Sequence, residues 1–189
     1  MISIIPATSF KTVPWKNGKG ETIELAINDG GTLESFDWRL SIASVTENGV
    51  FSDFSGYQRN LVLIDGNSIH LTHDNTHTDK LTQHLEFATF DGGSVTEGLL
   101  PAGSIKDFNI ITSHKKFQTK VETFPSLTEQ EITFQGLVFA YSLSDVIHLT
   151  DNNSVNSSFI KQGDLVKLKQ PKNIILKGKD IILVFIKMM

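Results

Sequence analysis

An all-β fold built in two halves is what this sequence predicts, and two observations carry the prediction. Short β-branched or aromatic runs recur between Gly, Asn, Asp and Pro signals, and no window of helical length carries a convincing apolar stripe at i, i+3, i+4, i+7. Many short strands with regular turn signals argue for a barrel or a sandwich. The second observation is a repeat: an aromatic–Gln pair, an apolar strand and a turn lead to Ile-His-Leu-Thr twice, ending at Thr72 and Thr150, with Ile69 and Ile147 78 residues apart. That offset suits one half of a duplicated β protein. The halves are expected at 1–121 and 122–189, dividing near Glu122 to Glu131, where Pro125 and a polar run interrupt the strand pattern.

Taken in order, Glu21–Ile27 and Phe36–Val45 alternate polar with apolar residues, as half-buried strands do. Asn60–Asp65 and Ser68–Thr72 flank a Gly-Asn turn, and Leu85–Phe90 and Phe108–Thr112 complete the first half. Leu137–Leu143, Val146–Thr150, Leu165–Leu168 and Ile174–Leu176 continue the pattern in the second. Ile181–Lys187 opens with the longest apolar run, Ile181 to Ile186, far too short to span a bilayer and suited to a buried strand. Ser126–Ile132 is the one window read as a turn or two of helix.

Composition narrows the function classes. A chain of 189 residues, 39% hydrophobic and 20% charged, is that of a folded globular protein. The absence of Cys removes thiol nucleophiles, disulfides and Cys-ligated metals. A net charge of -4 gives no basic field for nucleic acid or an anionic membrane, so the expected partner is small. The first residues show no basic leader, sustained apolar core or cleavage site, which leads us to expect a soluble cytoplasmic protein.

Of 17 basic residues only two are arginines, Arg39 and Arg59, which directs attention to places where a planar fork has a geometric task. If the loop from Asn28 to Ser35 closes a symmetric hairpin, Ile27 lies opposite Phe36, Glu24 opposite Arg39 and Thr22 opposite Ser41. Alternation then puts Ile23, Leu25, Ile27, Phe36, Trp38, Leu40 and Ile42 on an apolar face and Thr22, Glu24, Arg39 and Ser41 on the other. Either that polar face is solvated, with an ordinary cross-strand ion pair, or it is a site. Upstream, Trp15 precedes a turn of Asn17, Gly18 and Gly20 whose backbone N–H groups could face an anion; its spacing is not that of a phosphate loop, and a strand follows.

Trp15-x-Asn17-Gly18-x-Gly20-x-Thr22-x-Glu24, then Phe36-x-Trp38-Arg39-Leu40-Ser41-Ile42-Ala43, then Gly49-x-Phe51-Ser52-x-Phe54-x-Gly56-Tyr57-x-Arg59, and finally Asp107-Phe108-Asn109, together resemble the HutD/Ves family of bacterial proteins. The resemblance implies a bicupin of two RmlC-like jelly-roll barrels and a protein that binds small metabolites, in a family associated with histidine utilisation or stress responses. Lys19 departs from the family's Asn-Gly-Gly-Gly run, and Ile111-Thr112-Ser113-His114 from its Met- and Arg-rich stretch.

Other chemistry lacks a signature. His70, His73, His77 and His84 are spaced by three, four and seven with no His-x-His pair, which reads as solvated loop histidines and not as a cupin metal set. No Gly-x-Ser-x-Gly elbow occurs. The expectation is therefore a metal-free, cofactor-free protein that binds or senses an anionic metabolite, in which Arg39 grips a carboxylate. Trp15, Asn17, Gly18, Gly20, Thr22, Glu24 and Ser41 would surround it, with Arg59, Asp107 and Asn109 at or near the edge. The alternative is a cupin-fold isomerase, lyase or metal enzyme acting on a small carboxylated metabolite, with Glu24 or Asp107 as a base; Glu24 could equally orient Arg39.

Overall fold

The alternating and β-branched runs form strands in the computed structural model, which describes residues 1–15, 20–152 and 156–189. Among these residues there are nineteen strands and one 3-10 turn, Ala7–Ser9. In chain order the strands are β1 (Ile2–Ile5), β2 (Lys11–Pro14), β3 (Gly20–Ile27), β4 (Trp38–Val45), β5 (Gly49–Val50), β6 (Tyr57–Asp65), β7 (Ile69–His73), β8 (His77–Leu81), β9 (Phe87–Asp91) and β10 (Thr96–Leu99). They continue with β11 (Ile105–Ser113), β12 (Phe117–Phe124), β13 (Thr128–Ile132), β14 (Leu137–Ser142), β15 (Ile147–Asp151), β16 (Asn156–Ile160), β17 (Leu165–Lys169), β18 (Ile174–Gly178) and β19 (Ile181–Met188). No helix among them is long and apolar enough to cross a membrane.

The chain divides into two compact units, Phe10–Lys116 and a second made of Met1–Ser9 with Phe117–Met189. In the first, a six-stranded sheet β2-β3-β4-β11-β6-β9 faces a four-stranded sheet β5-β10-β7-β8. Ala43, Val45, Leu61, Leu63, Ala88 and Phe90 from one sheet and Ile69, Leu71 and Leu81 from the other share one core, as the inner faces of a β-sandwich do. In the second, sheets β1-β17-β14-β19-β12 and β13-β18-β15-β16 enclose a core that includes Val138, Ala140, Ile147, Leu149, Leu176 and Leu183.

The two units repeat one strand order. Reading β4, β11, β6, β9 against β12, β19, β14, β17, and β5, β10, β7, β8 against β13, β18, β15, β16, every neighbour relation is preserved. The Ile-His-Leu-Thr segments occupy equivalent strands down to the register: Leu71 pairs with Gly98 in the first unit and Leu149 with Leu176 in the second, both partners displaced by 78.

Several expectations are corrected. The division is not at 121/122, because β1 leaves its sequence neighbours and pairs antiparallel with β17, Ile2 opposite Leu168 and Ile5 opposite Leu165. The polar stretch taken for a boundary is strand on both sides of a break at residues 125–127: β12 pairs with β19, and β13, within the window read as helical, pairs with β18. Cross-strand pairing there overrides the weak β-propensity of its Glu and Gln residues. The β3–β4 hairpin also closes later than expected. Asn28 Oδ1 accepts the backbone N–H groups of Asp37 (2.6 Å) and Trp38 (3.3 Å), and Asn28 N–H donates to Trp38 O, so the loop ends at Trp38 and not at Phe36. Glu24 is therefore opposite Ser41 and Thr22 opposite Ala43, and a bulge at Leu25 puts Ile27 opposite Arg39.

Candidate functional site

Both faces of β4 are buried, and the polar one points into the first sandwich. Its side chains Arg39, Ser41, Ala43 and Val45 lie on the face that carries Asn109 and Ile111 of β11 and Arg59 of β6. At one end of this interior is a cavity of about 460 Å³, walled by Arg39, Ser41, Arg59, Asn109, Ile111, Trp15 and Thr22. Ala43 and Val45, the segment from Glu47 to Ser52, Phe54, Val13 and Leu33 form the rest of its lining.

Among the described residues, each expected one has a definite place. Trp15 Nε1 donates to Thr22 Oγ1 at 2.8 Å, which fixes the indole against the cavity. Arg39 Nε donates to Glu24 Oε2 at 2.8 Å, both side chains being largely buried, so Glu24 orients Arg39 from behind and does not line the cavity. Gly20 does not line it either: a Cβ there would lie 3.0 Å from the Trp15 ring and clash with the Ser44 carbonyl, so the glycine lets the indole approach β4. Asn17 and Gly18 lie outside the described residues.

Arg59, expected at the edge, is part of the wall and is 4% exposed. Its guanidinium carbon sits 5.3, 5.4 and 5.2 Å from the ring centroids of Phe51, Phe54 and Phe90, a collar that holds a cation by its quadrupoles and excludes water. Nη2 donates to Asn109 Oδ1 at 2.9 Å and Nη1 makes a long contact of 3.4 Å with Ser52 O, while Nε is buried without a partner. Burial pulls Arg59 down to about 10, against the opposing field of Asp107, so it is charged at neutral pH. Asn109 Nδ2 in turn donates to Asp107 Oδ1. Asp107 is fully buried and absent from the cavity lining, and burial lifts its carboxyl to about 7 although Arg59, Asn109 and the Ala43 backbone all favour the ionised form.

The repeat provides an internal control for this polar row. Leu61 pairs with Asn109 in the first unit and Val138 with Phe185 in the second, where Val138 is the matching core residue; on this register Arg59, Asn109 and Asp107 correspond to Gly136, Phe185 and Leu183. The second unit sets hydrocarbon at the positions of Asn109 and Asp107 and no side chain at that of Arg59. The fold therefore does not need an arginine and an aspartate there, and burying them costs stability that a well-packed apolar set would not.

The collar residues Phe51 and Phe54, with Ser52 between them, stood in the sequence within four residues of one another upstream of Arg59, but nothing local says that their rings fold back over it. Phe51 is admitted by Gly98 on β10, whose absent Cβ would come within 2.5 Å of the ring. The histidines also differ from expectation. His73 is not solvated but buried on β7, its ring bonded to Thr96 Oγ1 at 2.9 Å and Asp79 Oδ2 at 3.1 Å and packed on Phe90. The row Asp79–His73–Thr96 has the composition of a nucleophile relay, yet Thr96 is buried and outside the cavity lining. Among the described residues no three His, Cys, Asp or Glu side chains are placed to hold a metal.

Comparison with known proteins adds relatives to this geometry. The family model described as HutD matches residues 7–184. An uncharacterised 21.2 kDa protein in the hutC 3′ region of Pseudomonas putida is 36% identical over 123 residues, 65% of this chain and 64% of that protein's length. Protein Ves of Citrobacter koseri is 34% identical over 145 residues, 74% of this chain and 75% of the relative. Among solved structures, HutD from Pseudomonas fluorescens SBW25 superposes with a TM-score of 0.84 at 29% identity, covering 100% of both chains. A cupin 2 conserved barrel domain protein from Leptotrichia buccalis shares the fold, with a TM-score of 0.53 at 10% identity over 94% of this chain and 96% of that one.

Proposed function

The chain belongs to the HutD family, and from that premise we propose that it binds a small carboxylated metabolite in the first sandwich, without a metal and without turning the ligand over. The observation that carries this reading is Arg59: a guanidinium held in the cavity wall by three phenylalanine rings, with a single good hydrogen bond and its nearest counter-charge, Asp107, reached only through Asn109. A cation kept dry in this way gains from an incoming carboxylate, which replaces the lost hydration with charge-assisted hydrogen bonds. Arg39, oriented by Glu24, adds a second donor fork, Ser41 and Thr22 supply hydroxyls, and Trp15, Val13 and Leu33 an apolar side. Among the described lining residues none is a histidine or cysteine, which favours binding over metal chemistry.

The matching strand orders and the cupin neighbour support reading the two sandwiches as RmlC-like jelly-roll barrels of a bicupin. A regulatory role in histidine utilisation draws support from the hutC-adjacent relative. The net charge of -4 supports a small-molecule partner in place of nucleic acid or membrane, and a chain without Cys is consistent with the cytoplasm.

A thermal-shift screen over small carboxylic acids, beginning with the acids of histidine degradation, tests the reading. A true ligand at 100 times its Kd stabilises by about 2.7 kcal/mol, and Arg59→Met should abolish the shift. Turnover of the stabilising acid, or stoichiometric transition metal in protein purified without added metal, would overturn it.

A further inference from the structure

Behind the cavity wall, Asp107 is a buried carboxyl that the binding reading does not use. Across the register it faces Ala43 on β4 and Leu63 on β6. Oδ1 accepts from Asn109, whereas Oδ2 is buried with no partner. Since Asn109 also accepts from Arg59, carboxyl, amide and guanidinium form one row that ends in the cavity. Among the described residues, the charged or titratable groups that face this interior or line its cavity are Arg59 from β6, Arg39 with Glu24 from β4 and β3, His73 with Asp79 from β7 and β8, and Glu47 from the exposed segment after β4. The inward positions of β9 and β10, Ala88, Phe90, Thr96 and Gly98, contribute none.

Resting on the reading of the cavity as an anion site, we propose that capture of an anion at Arg59 is coupled to uptake of one proton by Asp107. The balance is simple: one anion and one proton leave solvent, and the product is a bound anion beside a neutral carboxyl, with no covalent bond made to the ligand. With Asp107 ionised, the row is an internally neutral pair, and a second anion would place two negative charges around one buried cation. With Asp107 protonated, Arg59 carries an unmatched charge and the cavity attracts an anion.

The geometry has a place for the proton. Oδ2 has no partner, so protonation there leaves the Asn109 bond to Oδ1, and with it the anchoring of Arg59, in place. Burial already brings Asp107 to about 7, held from going higher in part by the charge of Arg59. An anion beside Arg59 offsets that charge and lifts the carboxyl further. By linkage, anion affinity then falls up to tenfold per pH unit above the midpoint of the free protein.

Acetate serves as the probe. Protein labelled with ¹³C at aspartate carboxyls is titrated from pH 5 to 9 with and without acetate, and Asp107 is assigned by the signal missing in Asp107→Asn. The expected result is one aspartate titrating near neutrality, a midpoint that rises with acetate, and affinity that falls with pH in the wild type but not in Asp107→Asn. Should that variant fail to fold, acetate binding heats of the wild type at pH 7.5 in buffers of different ionisation enthalpy count the protons directly. Acetate that perturbs the Trp15 indole signal with equal affinity at pH 6 and pH 8 and no proton uptake overturns the coupling while the anion site stands. Acetate that perturbs no cavity signal at any pH refutes the anion site and the coupling with it.

Discussion

Replacing Asp107 by Asn removes a titrating group while keeping its shape and its ability to accept the Asn109 bond, and the consequence for stability can be worked out from the site. In the unfolded chain an aspartate loses its proton near about 3.9; in the native protein burial holds that proton to about 7. Between those limits the native state binds one more proton than the unfolded state, so stability falls as pH rises through the window and is level above it. At about 1.36 kcal/mol per pH unit, the wild type should lose roughly 3 kcal/mol between pH 5 and pH 8 from this group alone. Asn cannot ionise, so the variant lacks that loss. At pH 5, where Asp107 is neutral, wild type and variant should agree within about 1 kcal/mol; at pH 8 the variant should be the more stable. Both tryptophans, Trp15 and Trp38, belong to the unit that contains Asp107, so urea unfolding followed by fluorescence reports on the right half of the molecule. Subtracting variant from wild type cancels the other titrating groups. A difference that stays constant within about 0.5 kcal/mol from pH 5 to pH 8 would refute the claim that this carboxyl is held protonated by burial.

The double change Arg59→Met with Asp107→Asn should be neutral or stabilising by about 1 to 4 kcal/mol at pH 8 in urea unfolding, because the second unit folds with the uncharged Gly136 and Leu183 at these positions; a large loss would mean the row is structural. Arg39→Lys should weaken a carboxylate ligand by about 1.5 to 3 kcal/mol in calorimetry with little change in melting, whereas equal melting losses in Arg39→Lys and Glu24→Gln would make the pair a structural one. Trp15→Phe deletes the indole bond to Thr22 and should cost about 0.5 to 1.5 kcal/mol in thermal melts; no cost would show that this bond does not hold the indole. Gly98→Ala forces the Phe51 ring aside and should cost about 1 to 3 kcal/mol and weaken ligand binding together, while wild-type binding would remove Phe51 from the account.

What the sequence by itself determined is what a strand fixes locally. Side-chain alternation has a period of two whatever the strand pairs with, so Thr22, Glu24, Arg39 and Ser41 could be grouped, and a two-residue slip of the hairpin left that grouping intact. The duplication was legible for the same reason, since Ile69–Thr72 and Ile147–Thr150 carry the pattern of a strand buried at the same depth. The motifs of the resemblance likewise run along the chain. Tertiary structure alone decided which way the polar face points, because inside and outside are defined by the opposing sheet, and β10 and β7 lie far from β4 in sequence. The same holds for the collar on Arg59, whose rings come from β9 and the segment after β5, for the burial of His73, and for the move of β1 onto β17. Asp107 is the clearest case. Its residue type and its neighbours Phe108 and Asn109 were visible from the start, but a carboxyl's charge state depends on how much water the rest of the fold removes from around it, and only the closed sandwich sets that.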